Sequence, residues 1–577
     1  MARTLVLLLS LLTLPALAND LTVGWISRAP EIDYAWNSSN PRVEGWPAAG
    51  STVTWRANVR SWFAEPKNVA YVWRLDGTVL ERGVATIAPN ATTAIELPMQ
   101  WTFARHRLSI ELDAPNFIAE ESETNNTLEV VTDALSAGFW VEQSVYDYFR
   151  EHQQDLGIGS TCWENWAQRI IELYNDIAAM AVYDDTPNGV LDRWRLQKIV
   201  IVPDGALPLV PPPNFKEMNG EPNEQTHPNM ADRSVDLQFG FPASTLSAYF
   251  NTRFLSPSNP FAISPGTIHE LGHARYLTDV YAFDVGHNPP ARINDVPGVP
   301  LFREIYLTPE RGLMNRNFTF IDRYSAVALN RIAGARATVG NYNDPENIAS
   351  FLNDLPAQNR LTIRDANGNL MSNAQVDIYQ ATPFETDAWY AAHWDSTADV
   401  HLQTDANGQV LVGRSPFAAD GRVINYWRGS NTTAIVRVEK DNVAHFGFLE
   451  SRLFNLAYWR GDVFFADHAL IVDAPPCANR APVLRSPSWD AVVAGPQVTL
   501  KWNAAEGAIS YRVWSAAAGS QPRFHGATTT GTEMTVTLDA GRTYWWVEAD
   551  FSAQCQPVRS DAMRMDVQIR TRRRSVR

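Results

Sequence analysis

Most of this chain is built from short stretches in which apolar and polar residues alternate, with turn residues between them. In the first part of the chain the alternation runs through residues 52–59 and 70–75, and Asp76-Gly77 after the second stretch is typical of a tight hairpin turn. A period of two residues gives each strand one apolar face, and two such sheets bury those faces against each other. We therefore predict that residues 19–134 fold as a β-sandwich.

Two later regions show the same alternation. Residues 341–476 contain two turns of identical sequence, at 365–368 and 405–408, each of which reads Asp-Ala-Asn-Gly. Residues 477–569 contain further alternating stretches that carry tryptophan and tyrosine. We predict one sandwich in each region, so that all-β immunoglobulin-like sandwiches account for most of the chain.

Residues 135–340 have a different character, because helical and strand patterns follow each other there. A capping box at residues 161–164 precedes a stretch whose apolar residues recur every three or four positions, and residues 198–203 are a mostly apolar run typical of a buried strand. A second helix is predicted to begin near Gly266, and residues 235–241 are predicted to form an edge strand that can pair with an extended peptide. The predicted fold class is a multidomain chain with one α/β-type (α+β) unit flanked by sandwiches.

Residues 1–18 are predicted to be a secretory signal peptide. Arg3 supplies a positive charge, residues 5–14 are almost wholly apolar, and residues 16–18 read Ala-Leu-Ala, which suits a cleavage site. The apolar run is shorter than the roughly 18–20 residues that span a bilayer, and no later run reaches that length. We therefore expect a secreted, extracellular protein with no transmembrane segment.

The charge balance excludes one class of partner. With 48 Lys and Arg against 63 Asp and Glu, the chain carries a net charge of −15, whereas nucleic-acid binders present a basic surface. Five arginines lie within residues 570–577. We expect this basic tail to be a solvated end, with attachment to anionic cell-surface polymers as the alternative.

The three cysteines are predicted to form one disulfide and one spare thiol. Cys477 and Cys555 bracket the last predicted sandwich, and in an oxidising compartment we expect them to pair. Cys162 is then a buried thiol. Three acidic residues near the end of the first sandwich, Glu120, Glu121 and Glu123, are predicted to form a solvated turn, with a calcium (Ca2+) site as the alternative.

The chemistry of the chain is predicted to lie at residues 269–273, which read His-Glu-Leu-Gly-His. Residues four apart share one face of a helix, so His269 and His273 can bind one metal ion. Glu270 stands beside them as a carboxylate that can take a proton from a water and pass it to a leaving amine. Imidazole ligands suit zinc (Zn2+). The alternative is two surface histidines on an ordinary helix.

The residues after this motif resemble a known consensus. Residues 269–279 resemble the zinc-binding stretch of the metzincin peptidases, and Asp279 stands six positions after His273, as in secreted members of the snapalysin and immune-inhibitor-A types. The resemblance implies that Asp279 is the third zinc ligand. The sequence departs from the family at Tyr276, where glycine is usual. The alternative third ligands are Asp284, His287 and Glu304.

A second feature of the same peptidases follows downstream. Met314, within Gly-Leu-Met-Asn, resembles the Met-turn, in which a methionine lies beneath the metal, and residues 322–332 resemble the helix that commonly follows that turn. The resemblance implies a metzincin-like catalytic domain over residues 135–340. Tyr324 or Tyr306 would then stabilise the oxyanion.

The three sandwiches resemble known accessory domains. Residues 119–130, with a Glu-x-Asn-Asn turn before the last strand, resemble the end of CARDB-type domains. Residues 361–379 resemble transthyretin-like or carboxypeptidase-regulatory-type sandwiches. The positions of Trp502 and Tyr544 resemble those of fibronectin type III domains. Such domains commonly mediate contacts with proteins or cell-surface polymers.

Three functions are compatible with these patterns. The favoured prediction is a secreted zinc endopeptidase that hydrolyses protein or peptide substrates, with Glu270 as general base and then general acid. The second is an extracellular adhesin or binding protein whose zinc site is structural or vestigial. The third is a zinc hydrolase that acts on amide bonds of cell-wall material.

Overall fold

The computed structural model describes residues 19–32, 45–156, 162–207, 232, 234–243, 265–273, 275, 277–286, 291–292, 305–306, 308–315, 319–334, 350–383, 392–419, 421, 432–474, 481–551 and 557–569. The predicted signal peptide, Cys477, Cys555 and the basic tail lie outside these residues. The side chains of Glu270 and His273 also lie outside, although both residues belong to a described helix.

The described residues of the N-terminal region form seven strands: β1 (Leu21–Ala29), β2 (Thr52–Ser61), β3 (Lys67–Leu75), β4 (Thr78–Ile87), β5 (Thr92–Gln100), β6 (Arg107–Leu112) and β7 (Thr127–Val131). One sheet has the order β1-β2-β5 and the other the order β4-β3-β6-β7, with every pair antiparallel. Trp55 and Trp73, one from each sheet, are wholly buried in the shared core. Asp76 and Gly77 turn the chain between β3 and β4 with φ angles of 49° and 79°, as the Asp-Gly pair predicts.

The region from Leu135 to Gly334 contains both helices and strands. They are β8 (Leu135–Glu142), α1 (Gln143–Leu156), α2 (Trp163–Met180), β9 (Trp194–Val202), β10 (Leu237–Phe241), α3 (Pro265–His273), β11 (Val285–Gly286), β12 (Ala291–Arg292), β13 (Ile305–Tyr306) and α4 (Arg323–Arg331). Strands β10, β8 and β9 form a parallel sheet in that order. Strand β8 is buried along its whole length, as expected of a strand covered on both faces. Among the described strands, β10 lies at one edge of this sheet.

Helix α2 begins differently from the prediction. Its N-cap is Cys162, which has an extended backbone and makes no side-chain capping hydrogen bond, so the predicted capping box at residues 161–164 is wrong. The Glu164 carboxylate instead accepts a 2.6 Å hydrogen bond from the hydroxyl of Tyr146. Glu164 therefore ties α2 to α1.

The third region, residues 350–474, is again mostly strand. It contains β14 (Gln358–Arg364), β15 (Gln375–Tyr379), β16 (Thr382–Pro383), β17 (Ala392–His393), β18 (Val400–Gln403), β19 (Gln409–Gly413), β20 (Thr433–Lys440), β21 (Val443–Glu450), α5 (Ser451–Arg460) and β22 (Phe465–Ile471). Its two main sheets have the orders β19-β14-β22 and β18-β15-β20-β21, while β16 and β17 form a small sheet with β12. The two Asp-Ala-Asn-Gly turns are alike, because Asp365 and Asp405 each accept two backbone N–H groups within the turn.

The C-terminal region forms a further sandwich, in which residues 481–551 and 557–569 contain nine strands: β23 (Val483–Ser486), β24 (Ala491–Ala494), β25 (Gln497–Asn503), β26 (Ser510–Ala517), β27 (Arg523–Phe524), β28 (Glu533–Thr537), β29 (Gly541–Asp550), β30 (Val558–Arg559) and β31 (Met563–Gln568). One sheet has the order β23-β25-β28, and the other the order β24-β31-β29-β26-β27, with β30 paired to β29. Trp502 and Trp545 are buried in its core. The described chain is thus multidomain and mostly β, with few helices.

Buried contacts join these regions. Residues of the helical region and of residues 350–474 belong to one continuous apolar core, which Tyr544 and Trp546 of the C-terminal sandwich also enter. On the other side, the backbone N–H of Arg28 in β1 donates to the Gln197 side chain, which donates back to the Arg28 carbonyl. None of the helices in the described residues is long and apolar enough to cross a membrane.

Candidate metal centre

Helix α3 carries the predicted zinc motif. It begins at Pro265, and proline suits the first turn of a helix because no backbone N–H donor is needed there. Ile268 and Leu271 are fully buried, so the packing of the core fixes the rotation of the helix. His269 is only 5% exposed, and its imidazole is therefore held in surroundings that exclude most water.

His269 and Asp279 meet close to this helix. Nε2 of His269 lies 3.0 Å from Oδ1 of Asp279, and the two side chains are 6% and 1% exposed. Two ligand atoms bound to one tetrahedral zinc ion at ~2.0–2.1 Å are about 3.3 Å apart, so this pair of atoms fits the coordination of a single ion. The imidazole nitrogen and carboxylate oxygen are also atoms that zinc accepts.

Neighbouring groups orient both residues. Nδ1 of His269 is 2.8 Å from the carbonyl oxygen of Leu313, which calls for a proton on Nδ1 and so leaves Nε2 as the nitrogen that could bind a metal ion. Oδ2 of Asp279 accepts a 2.6 Å hydrogen bond from the hydroxyl of Tyr281. The rings of Tyr281 and His269 are nearly parallel, with centroids 6.5 Å apart. The two predicted ligands whose side chains are described, His269 and Asp279, are thus each held by a hydrogen-bond partner.

Met314 packs against the same helix. It is fully buried, in a turn where the N–H of Asn315 donates to the carbonyl of Gly312 at 2.9 Å. A β-carbon built on Gly272 would lie 3.0 Å from Met314 Sδ. The Met314 carbonyl accepts a 2.9 Å hydrogen bond from the N–H of Val280. The predicted Met-turn therefore touches both the motif helix and the segment that carries Asp279.

A buried ion pair holds the chain just after α3. Arg275 is 1% exposed, and its Nη2 donates to Asp192 at 2.8 Å and to the carbonyl of Ile332 at 3.2 Å. The other oxygen of Asp192 accepts the N–H of Gly334 at 2.9 Å. Sequence analysis missed this pair, and no local pattern could have revealed it, because its two members stand 83 positions apart.

Of the alternative third ligands, Asp284 lies within the described residues. Asp284 accepts a 2.8 Å hydrogen bond from the N–H of Thr308, while Tyr276, His287 and Glu304 lie outside the described residues. Asp279 is the candidate third ligand that the structure places beside His269.

Both tyrosines considered for the oxyanion contact the third region of the chain. The hydroxyl of Tyr324 donates to Asn455 at 3.2 Å, and the ring of Tyr306 stacks on Phe448 with centroids 4.3 Å apart. Burial raises the pKa of both tyrosines above the ordinary value. These contacts give the two side chains packing roles and supply no link to His269.

The described residues contain part of the predicted metal site. Among the side chains that the structure describes, no three His, Cys, Asp or Glu residues are arranged to hold a metal ion. Glu270 and His273, which complete the predicted centre, are outside that set. His269 and Asp279 are the two predicted ligands whose side chains the structure describes, and they lie in contact.

The acidic turn of the first sandwich is tied into the fold. Glu120 accepts hydrogen bonds from the N–H of Leu21 at 2.7 Å and from the Asn126 amide at 3.1 Å, and Glu121 pairs with Arg150 at 3.3 Å. Burial, opposed by these hydrogen bonds, raises the pKa of Glu120 to about 7. Calcium binding at this turn stays a prediction.

The cysteines follow the prediction where they are described. Cys162 is a buried free thiol, and burial raises its pKa well above the ordinary value. The pairing of Cys477 with Cys555 stays a prediction.

Comparisons with known proteins find similarity at the level of single domains. No protein-family model matches the chain, and no curated protein matches it in sequence. A solved CARDB domain from Pyrococcus furiosus, in complex with di-metal ions, is 14% identical over 20% of this chain and 93% of its own length, with a TM-score of 0.16. Fibronectin(III)-like modules of Clostridium thermocellum are 17% identical over 16% of this chain and 99% of theirs, with a TM-score of 0.13. The sandwich architecture itself rests on the strand pairing described above.

Proposed function

We propose that this chain is a secreted zinc-dependent endopeptidase with a metzincin-like catalytic domain at residues 135–340. The observation that supports this most directly is the 3.0 Å separation of His269 Nε2 and Asp279 Oδ1, in a buried site against which Met314 packs. The motif His-Glu-Leu-Gly-His adds a second imidazole one helical turn away and a carboxylate beside the first. These are the groups that hydrolysis of a peptide bond by an activated water requires.

The residues of the site have separate tasks. His269, His273 and Asp279 would hold zinc through two nitrogens and one oxygen, which leaves one coordination position open. Bound zinc would polarise the scissile carbonyl and make a water more acidic. Glu270 accepts a proton from the attacking water and delivers it to the nitrogen of the leaving amine.

The fixed orientation of His269 and Asp279 supports a catalytic site. The Leu313 carbonyl and the Tyr281 hydroxyl hold His269 and Asp279 in place before any metal arrives. Outer groups of this kind fix the tautomer of a ligand histidine and raise its basicity. Little reorganisation is then needed when substrate binds.

The predicted signal peptide, the net charge and the sandwiches support the proposed location and substrate class. The signal peptide predicted at residues 1–18 directs the chain out of the cell, and the net charge of −15 suits a protein substrate better than a nucleic acid. The sandwiches around the catalytic domain supply surfaces for proteins or cell-surface polymers.

The test compares variants of the purified full-length chain. Glu270→Gln should abolish digestion of casein while about one zinc per chain is retained, because the amide cannot act as a base but the ligands are intact. His269→Ala should lose both zinc and activity. Glu506→Gln, which neutralises an exposed carboxylate in the C-terminal sandwich, is the matched control and should behave as wild type.

The contrary outcomes point to the other two functions. Undiminished casein digestion by Glu270→Gln would overturn the proposal. Release of peptides from peptidoglycan without digestion of casein would assign a cell-wall amide hydrolase. Bound zinc with a closed shell of four protein ligands, and no hydrolysis of either material, would assign a binding protein.

A further inference from the structure

The C-terminal sandwich reaches the segment that follows the Met-turn. Thr319 is fully buried, and its backbone N–H donates to Oδ1 of Asp561 at 2.7 Å, while its hydroxyl also hydrogen-bonds that carboxylate. The N–H of Ala562 donates to the same hydroxyl at 3.0 Å. Beside them, the guanidinium of Arg559 lies 4.3 Å from the centroid of the Phe320 ring. Residues of the C-terminal sandwich thus hold the segment at Thr319 and Phe320, which lies between the Met-turn and helix α4.

This segment is linked by hydrogen bonds to a predicted zinc ligand. The N–H of Leu313 donates to the carbonyl of Phe320 at 2.7 Å. The carbonyl of Leu313 is in turn 2.8 Å from Nδ1 of His269. Leu313 is therefore held through its N–H by Phe320, and its carbonyl oxygen orients the imidazole of His269.

We propose that Asp561, in the C-terminal sandwich, is a positioning residue for the metal ligand His269. It acts through Thr319 and the carbonyl of Leu313, and the inference rests on the proposed zinc function. A buried N–H that loses its acceptor is unfavourable, so without the Asp561 carboxylate Thr319 shifts toward another partner. The Leu313 carbonyl moves with it, and the imidazole loses the group that fixes its direction.

A second set of contacts distinguishes positioning from simple attachment of the domain. The hydroxyl of Tyr544 donates to Asp176 at 2.9 Å, and Arg542 pairs with Glu172 at 2.7 Å. These bonds fasten the same sandwich to helix α2 and do not run through Leu313. Tyr544→Phe therefore weakens the domain contact while it leaves the path from Asp561 to His269 unchanged.

The experiment uses the full-length chain with the variants Asp561→Ala, Asp561→Asn and Tyr544→Phe. Zinc affinity is measured by competition with a chromophoric chelator, the ligand geometry by the visible spectrum of the Co2+-substituted protein, and the Leu313 amide by hydrogen exchange. Asp561→Ala should lower zinc affinity about 10–100-fold, change the cobalt spectrum and speed exchange at Leu313. Asp561→Asn keeps an acceptor oxygen for the Thr319 N–H and should restore most of each value.

Tyr544→Phe should match wild type in all three measurements. If Asp561→Ala retains wild-type zinc affinity and Leu313 exchange while the wild type binds zinc, the inference is overturned and the proposed function stands. Equal effects of Asp561→Ala and Tyr544→Phe would also overturn it, because loosening of the domain contact would then suffice. Absence of zinc binding in the wild type would instead overturn the proposed function itself.

Discussion

Gly272 faces the sulfur of Met314: a β-carbon built on Gly272 would lie 3.0 Å from Sδ and 3.2 Å from a methyl carbon of Leu277. Met314 and Leu277 are both buried, so neither has free space beside it. The zinc-motif helix and the Met-turn therefore touch where the helix has no side chain. Packing of the core at this point sets how closely the turn approaches the residues on either side of Gly272.

Adding a methyl group at this contact should loosen the helix. In Gly272→Ala the overpacking penalty of about 1–3 kcal/mol exceeds the gain of about 1 kcal/mol in helix propensity, so α3 should open more readily by about 1 kcal/mol. Hydrogen exchange of the α3 amides measures this. Combined with Met314→Ala, which makes room for the methyl group, the loss should be smaller than the sum of the two single effects. Strictly additive effects would show that the two residues do not press on each other.

Removal of the hydroxyl that holds Asp279 should weaken metal binding. Tyr281→Phe keeps the ring beside His269 but deletes the 2.6 Å hydrogen bond to Asp279 Oδ2. Loss of such an outer partner lowers metal affinity about 10–100-fold, which a zinc competition titration can measure. Tyr511→Phe removes a hydroxyl that serves Ala505 in the distant C-terminal sandwich and should leave zinc affinity unchanged. Equal affinities in the two variants would contradict the positioning role of Tyr281.

Removing one member of the buried ion pair between Arg275 and Asp192 should greatly lower the stability of the protein. Arg275→Met leaves Asp192 as an uncompensated charge at a site where the two side chains are 1% and 5% exposed, and this should cost about 3–5 kcal/mol of stability. The double variant Arg275→Met with Asp192→Asn removes both charges and should recover much of the loss. Urea denaturation followed by tryptophan fluorescence checks both. A loss below 1 kcal/mol for Arg275→Met would show that Asp192 finds another cation.

Acid should weaken the sandwich at residues 350–474 through His468. Burial lowers the pKa of His468 to about 4, and its Nε2–H donates to Asn359 at 2.9 Å. The unfolded chain titrates near the ordinary value of about 6.5, so as pH falls the unfolded state binds the proton first. The stabilisation is complete above pH 6.5 and is lost toward pH 4, by up to about 3 kcal/mol.

The matched variant for this pH effect is His468→Gln, which keeps an N–H donor for Asn359 but does not titrate. Hydrogen exchange of the β22 amides between pH 4 and 7 should show a pH-dependent loss of protection in the wild type and a flatter profile in the variant. The same slope in both proteins would assign the acid sensitivity to other groups.

Local signals account for the parts of the fold that the sequence predicted well. The alternation at residues 52–59 predicts a strand, and these residues lie in β2 (Thr52–Ser61), because alternation is a property of the strand itself. Asp322 caps α4 by accepting the N–H of Ser325, a contact that also spans only three positions. The His-Glu-Leu-Gly-His helix belongs to the same group, since its spacing is set by one helical turn.

Long-range partners account for what the sequence did not predict. Glu164 has the spacing of a capping residue, yet tertiary packing places the Tyr146 hydroxyl within its reach, and that bond replaces the cap. Asp561 is an ordinary acidic residue in the sequence, and only the docking of two domains brings it to Thr319. The periodicity of the sequence does not indicate which distant residue will become the hydrogen-bond partner of a given side chain.

The buried carboxylate on helix α2 has a consequence for how this chain can have changed over evolutionary time. Asp176 is 4% exposed, and it bonds Tyr544 and Arg542 of the C-terminal sandwich. A lineage that lost or exchanged that sandwich would leave an anion facing apolar neighbours. We therefore expect the C-terminal sandwich to be inherited together with the helical region, and substitutions at residues 176, 542 and 544 to occur together among related proteins.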